Sequence, residues 1–176
     1  AGGYDYDRKL GFQHDVQWIR PGLPGAGNML AFVNNEYNRP SESAIVEFTP
    51  PIDETGNYPM NPEDGSWGPK DYAWFYSAAI EGEFSSDFIS GAQRLPNGNT
   101  FICSGAQGNI FEVNPAGEIL WKFAERGENE PPVVWLFRSG FYAPDYSGLL
   151  GTPLYQAPFV PVEPTGPSTS PNARKR

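Results

Sequence analysis

Histidine and cysteine occur once each, as His14 and Cys103, and no run of apolar residues approaches 18. One cysteine closes no disulfide within the chain, and one cysteine with one histidine falls short of a structural zinc site built from four protein ligands. No metal site is expected. Without a long apolar run there is no membrane span, and no apolar signal region follows the opening Ala-Gly-Gly. An opening without Met reads as that of a processed or excised chain. Cations are scarce as well: 12 Lys and Arg stand against 21 Asp and Glu, a formal net charge of −9. The one basic run, Arg174-Lys175-Arg176, closes the sequence. Such a balance disfavours a nonspecific grip on nucleic acid or on an anionic membrane. Uninterrupted helical periods are also missing, because glycine and proline break every window long enough for three turns with caps at both ends.

What the chain does have is 20 glycines, 19 prolines and 15% aromatic residues, with an apolar fraction of 39% that suffices for a core. That composition predicts many short strands joined by tight turns. Two stretches repeat one pattern. Aligning Gly27-Asn28 with Gly98-Asn99 brings Met29-Leu30-Ala31-Phe32 over Thr100-Phe101-Ile102-Cys103, and Gln17 falls on Gln93 once a longer first turn is allowed. SAIVEFTP at 43–50 matches GNIFEVNP at 108–115, sharing Ile45 with Ile110, Glu47 with Glu112 and Pro50 with Pro115. YAWFY at 72–76 then corresponds to EILWKF at 118–123, with Trp74 over Trp121 and Tyr76 over Phe123. Each copy supplies four short strands, which fits the sheet of a β-propeller blade. Pro96-Asn97-Gly98 and Asn114-Pro115-Ala116-Gly117 are hairpin turns: a residue of fixed negative φ precedes one that tolerates positive φ.

The expected fold is thus all-β, with blades of four antiparallel strands, part of a ring that two blades cannot close. A leading segment spans 1–13. The first blade covers 14–84 and carries a rim insertion at 53–71. The second covers 85–125. A closing strand near 133–139 and a C-terminal extension fill 126–152, followed by a Pro-rich tail at 153–176 that holds six prolines and is expected to be extended or disordered. The carboxylates of the insertion, Asp53, Glu54, Glu63 and Asp64 with Asp71 nearby, match no EF-hand spacing and read as a solvated acidic loop.

Gln13-His14, followed by strand residues, a glycine turn and a strand ending Phe32-Val33-Asn34-Asn35, is similar to the QHxxxL … FDNG segment of the bacterial arylsulfate sulfotransferases. FSSDFISGAQRLPNGNTFICSGAQGNIFEV resembles the blade that follows in that family, and FRSGFYAPDYSGL resembles the C-terminal end of its propellers. The resemblance covers most of residues 12–140. It implies a six-bladed propeller with a histidine nucleophile, mapped here onto His14. It implies aryl sulfate and phenol as substrates, no cofactor, and a periplasmic or extracellular location. The family's Asp in FDNG is replaced by Val33. Its anion-binding residues lie on blades upstream of the nucleophile, so the remaining blades are expected as partners, from another segment or another chain.

A neutral imidazole attacks a sulfuryl group and passes it on, provided hydrogen-bond donors or cations hold the equatorial oxygens. Gln13, Asn34 and Arg94 are the candidate substrate-binding residues, with Gln17 and Gln93 also near in sequence. Plainer readings stand beside these. His14 also reads as a half-buried residue bonded to its neighbours, and Arg94 as a surface arginine. Recurrence of Gln17 and Gln93 suits structural bonding between blades, Trp74 and Trp121 suit packing, and Cys103 suits a buried apolar role. Three functions remain open: sulfuryl transfer through His14, a catalytically inactive propeller serving as a structural module, and, more distantly, a quinone-cofactor dehydrogenase propeller, for which no calcium or cofactor contacts can be pointed to.

Overall fold

The computed structural model of the chain describes residues 10–35, 42–78, 83–124 and 134–150. The Pro-rich tail at 153–176 and most of the leading segment lie outside them. The described residues form two four-stranded antiparallel sheets in simple up-and-down order, with a single short 3-10 turn at Ser147–Leu149. The first sheet holds β1 (Gln13–Trp18), β2 (Met29–Val33), β3 (Ala44–Phe48) and β4 (Trp74–Tyr76); the second holds β5 (Gly91–Arg94), β6 (Thr100–Ser104), β7 (Asn109–Val113) and β8 (Ile119–Ala124). This arrangement is consistent with two neighbouring propeller blades.

The two ladders share one register. Leu30 faces Glu47 and Gln17 in the first sheet as Phe101 faces Glu112 and Gln93 in the second. Glu47 pairs with Trp74 as Glu112 pairs with Trp121, and Ile45 with Tyr76 as Ile110 with Phe123. Tight hairpins set this register. Gly98 (φ 88°) and Gly117 (φ 86°) take the left-handed conformation that the Leu95–Asn99 and Asn114–Glu118 turns need, and each donates its N–H back across its turn.

Alternation along the strands divides the apolar residues into two cores. Leu30, Phe32, Ile45 and Tyr76 of the first sheet meet Ala92, Ile102, Phe111 and Val113 of the second, with Phe84 of the connecting segment wedged between them. Phe84 packs edge-on to Phe32 (5.4 Å between centroids) and to Phe111 (5.5 Å), geometries that contribute about 0.5–1.5 kcal/mol per pair beyond burial. Ala31, Val33, Ala44 and Val46 point to the other face of the first sheet and pack with Leu10, Phe48, Tyr72 and Phe75.

The insertion at 53–71 lies between β3 and β4 as a series of turns. Asp53 Oδ1 accepts from Thr55 N, Thr55 Oγ1 and Asn57 N, and these bonds, Thr55's hydroxyl first, hold its carboxyl below the usual range.

The strand expected near 133–139 does not form among its described residues, 134–139. That segment takes isolated bonds at one end of the second sheet: Leu136 N donates to Gly105 O, and Ser90 N donates to Phe137 O. The partners belong to two separate chain segments, so no ladder can propagate along a single edge.

Candidate active site around His14

His14 stands near the start of β1, opposite Phe32, and is half-buried. Only one face of its ring chemistry is engaged. Nδ1 lies 2.7 Å from Asn34 Oδ1 and 3.3 Å from Phe12 O. Asn34 is buried, and its amide Nδ2 donates to Ser86 O at 2.6 Å and to Ile89 O at 2.8 Å. Carbonyl oxygens only accept, so the NH2 group must face them and Oδ1 must face the ring. Both partners of Nδ1 are therefore acceptors. In the neutral ring the proton sits on Nδ1, and Nε2 keeps its lone pair. No hydrogen bond reaches Nε2 among the described residues.

The segments that carry these groups are themselves tied together. Ser43 Oγ donates to Asn34 O, Ser86 N donates to Ser43 Oγ, and the hydroxyls of Ser86 and Ser90 lie 2.7 Å apart while accepting from Ala106 N and Gly105 N. This buried serine network ties both sheets to the 84–90 segment beneath the histidine. Fully satisfied networks of this kind hold one geometry.

Backbone strain gathers at the same place. Among the described residues four non-glycines have positive φ: Phe12 (51°), Asp15 (51°), Ile89 (53°) and Ser90 (87°). Two flank His14 in sequence, and Ile89 supplies one of the carbonyls that hold Asn34. Each such residue costs on the order of 1–3 kcal/mol, and strain of this sort collects where a structure is held for a task. For β-branched Ile89 the conformation is a true outlier.

Asp15, next to His14, bridges to the second sheet. Its Oδ2 accepts from Gln17 Nε2 and Ala92 N, both at 3.2 Å, and its Oδ1 pairs with Arg138 Nη1 at 3.1 Å. Both side chains pass over Gly91, which faces Cys103 as His14 faces Phe32. A Cβ on Gly91 would overlap Asp15 Oδ2 and come within 3.1 Å of Arg138 Cγ. The position that carries the imidazole in one sheet is bare backbone in the other, and the bare backbone makes room for the ion pair.

Of the residues singled out in the sequence, Asn34 joins His14, but as the residue that orients the ring and not as one facing a substrate. Gln13 is exposed on β1, opposite Val33. Arg94 does not join the site. It is buried between the sheets, donating through Nη2 to Glu47 at 2.5 Å and through Nη1 to Gly98 O, with its guanidinium 4.9 Å from the Trp74 ring centroid. Burial lowers its pKa and Glu47 works against that shift. The local sequence of Arg94 gave no hint of this, because its partner is 47 residues away.

Gln17 and Gln93 make matching clasps. Gln17 Nε2 donates to Ala92 O (2.6 Å), and Gln93 Nε2 donates to Phe141 O (3.3 Å) while Phe141 N donates back to Gln93 Oε1 (3.0 Å). Asp15, Ser86 and Arg138 escaped the sequence reading. For Arg138 a signal existed: Phe137-Arg138-Ser139-Gly140 repeats Phe88-Ile89-Ser90-Gly91 at the same distance before a residue clasped by a glutamine. Compared with known proteins, this chain matches no family model, no curated protein and no solved structure.

Proposed function

We propose that this chain is the C-terminal part of an arylsulfotransferase-like propeller and that His14 Nε2 is its nucleophile. The observation that carries this reading is the anchored Asn34, which puts the proton on Nδ1 and leaves Nε2 free and unprotonated in the neutral ring. In the first half-reaction Nε2 forms a bond to the sulfur of an aryl sulfate as the S–O bond to the ring oxygen breaks. The phenolate leaves and takes a proton from water. In the second, the oxygen of an acceptor phenol attacks the sulfur of the sulfo-histidine, loses its proton to water, and returns the electron pair of the S–N bond to Nε2. No cofactor enters. Remaining blades from another segment or chain complete the ring, in a periplasmic or extracellular setting.

A specific observation favours a second reading, a propeller that has lost its chemistry and acts as a structural module: Arg94, the cation expected from the sequence to bind the substrate, is locked to Glu47.

The test is sulfuryl transfer from 4-nitrophenyl sulfate to phenol by the intact protein. His14→Ala is expected to abolish turnover, and Asn34→Leu to reduce it by about 10²-fold or more through loss of the correct tautomer. Because His14 is the only histidine, its ring nitrogen shifts can be read without ambiguity, and in the neutral ring the proton is expected on Nδ1 with Nε2 bare. Undiminished transfer by His14→Ala removes the histidine from the mechanism, and an Nε2-protonated ring removes the reason for choosing it.

A further inference from the structure

We propose that Arg138 is the anion-binding residue of the His14 site and that its ligand is a tetrahedral sulfuryl oxyanion, as inorganic sulfate or as a sulfate monoester. The proposal rests on the reading of His14 as a sulfuryl-group nucleophile and supplies the cation that reading requires. Transfer to a ring nitrogen needs positive donors around the oxygens of the group in flight. Among the described residues the cationic side chains are Arg20, Lys70, Arg94, Lys122 and Arg138. Arg20 lies beyond the far end of β1, Lys70 is in the insertion, Lys122 is on the outermost strand β8, and Arg94 is bound to Glu47 between the sheets. Arg138 alone is tied to the chain beside His14.

Three features make it suitable. Its carboxylate partner, Asp15, is the neighbour of His14 and is itself held by Gln17 and the Ala92 amide, so the guanidinium is placed by a fixed anchor. Asp15 engages Nη1, whereas Nη2 and Nε have no protein partner among the described residues, and the side chain is 63% exposed. Two parallel N–H donors on one edge of a planar guanidinium match two oxygens of a sulfuryl group. Finally, Gly91 supplies the space. Any side chain at that position meets Asp15 and Arg138, so the second sheet gives up its counterpart of His14 to let the arginine reach across.

The experiment titrates the full chain with sodium sulfate and, separately, with 4-nitrophenyl sulfate, reading affinity by calorimetry and location by the unique His14 ring resonances. Wild type is expected to bind with a shift of those resonances. Arg138→Ala is expected to bind about tenfold or more weakly, Arg138→Lys to recover part of the loss, and Asp15→Asn to bind at least as tightly because it releases the guanidinium. His14→Ala should retain affinity within about threefold, since a neutral imidazole adds little to anion binding. Binding of the ester alone assigns the site to sulfate monoesters, and binding of both assigns it to the oxyanion. Equal affinity of wild type and Arg138→Ala, or binding that leaves the His14 resonances unmoved, overturns the proposal. Arginine-dependent binding without any transfer in wild type would defeat the nucleophile reading and leave the anion site standing.

Discussion

The two sheets share a register, yet the same four positions are used differently in each, and the difference shows what a neighbouring sheet does. Glu47 and Glu112 are both buried and both accept from the asparagine that precedes the second strand, Asn28 in one case and Asn99 in the other. In the first sheet the other carboxylate oxygen receives Arg94 from across the interface, and the Trp74 indole turns to Pro115 O of the second sheet. In the second, the Trp121 indole donates to Glu112 itself. Tyr76 is 4% exposed against the second sheet, whereas its counterpart Phe123 is 54% exposed. His14 has Gly91 as its counterpart. The strand pattern is common to both sheets; what each side chain does depends on what covers it.

Removing one partner of the buried pair tests this most severely. Arg94→Ala strands Glu47 between the sheets and is expected to cost about 3–5 kcal/mol in urea unfolding, with the double change Glu47→Leu, Arg94→Met recovering most of it. Glu112→Ala, which loses bonds at a more open edge, should cost about 1–2 kcal/mol. Equal losses would mean that the second sheet is covered like the first. Next comes the aromatic pair: Tyr76→Ala should cost roughly 3–5 kcal/mol and Phe123→Ala less than about 1 kcal/mol, read in the same assay. The smallest effect belongs to Cys103, whose thiol is pushed above its ordinary value of 9.0 by burial. In the unfolded chain the thiol ionises first, so its contribution to stability is complete below about pH 9 and fades as pH rises beyond that. A thiol reagent at pH 8 should label it only at the rate of unfolding, and fast labelling of the native protein would place it outside the core.

How much of this was legible in advance varies by residue. The alignment of Glu47 with Glu112, Trp74 with Trp121 and Gln17 with Gln93 coincides with the observed ladders because period-two alternation and fixed hairpin turns leave little freedom of register. Residues 134–139 misled because Val134, Trp135, Leu136 and Phe137 have strand-like composition, whereas a strand also needs a continuous free edge to pair with. Arg94 misled for a related reason: an arginine at the end of a strand reads as exposed until a carboxylate from another sheet arrives beside it. At the candidate site, His14 and Asn34 were visible as residue types in a motif, but the tautomer depends on carbonyls of Ser86 and Ile89, more than fifty residues further on.

The sequence by itself determined the strands, their turns and their pairing within each sheet, because these rest on local backbone preference and on alternation between neighbours in the chain. Only the tertiary structure decided which carboxylate meets Arg94, which oxygen orients His14 and which cation lies over Gly91. Those contacts join residues whose energies are set by burial and by partners distant in sequence, and no local pattern encodes a distance of that kind.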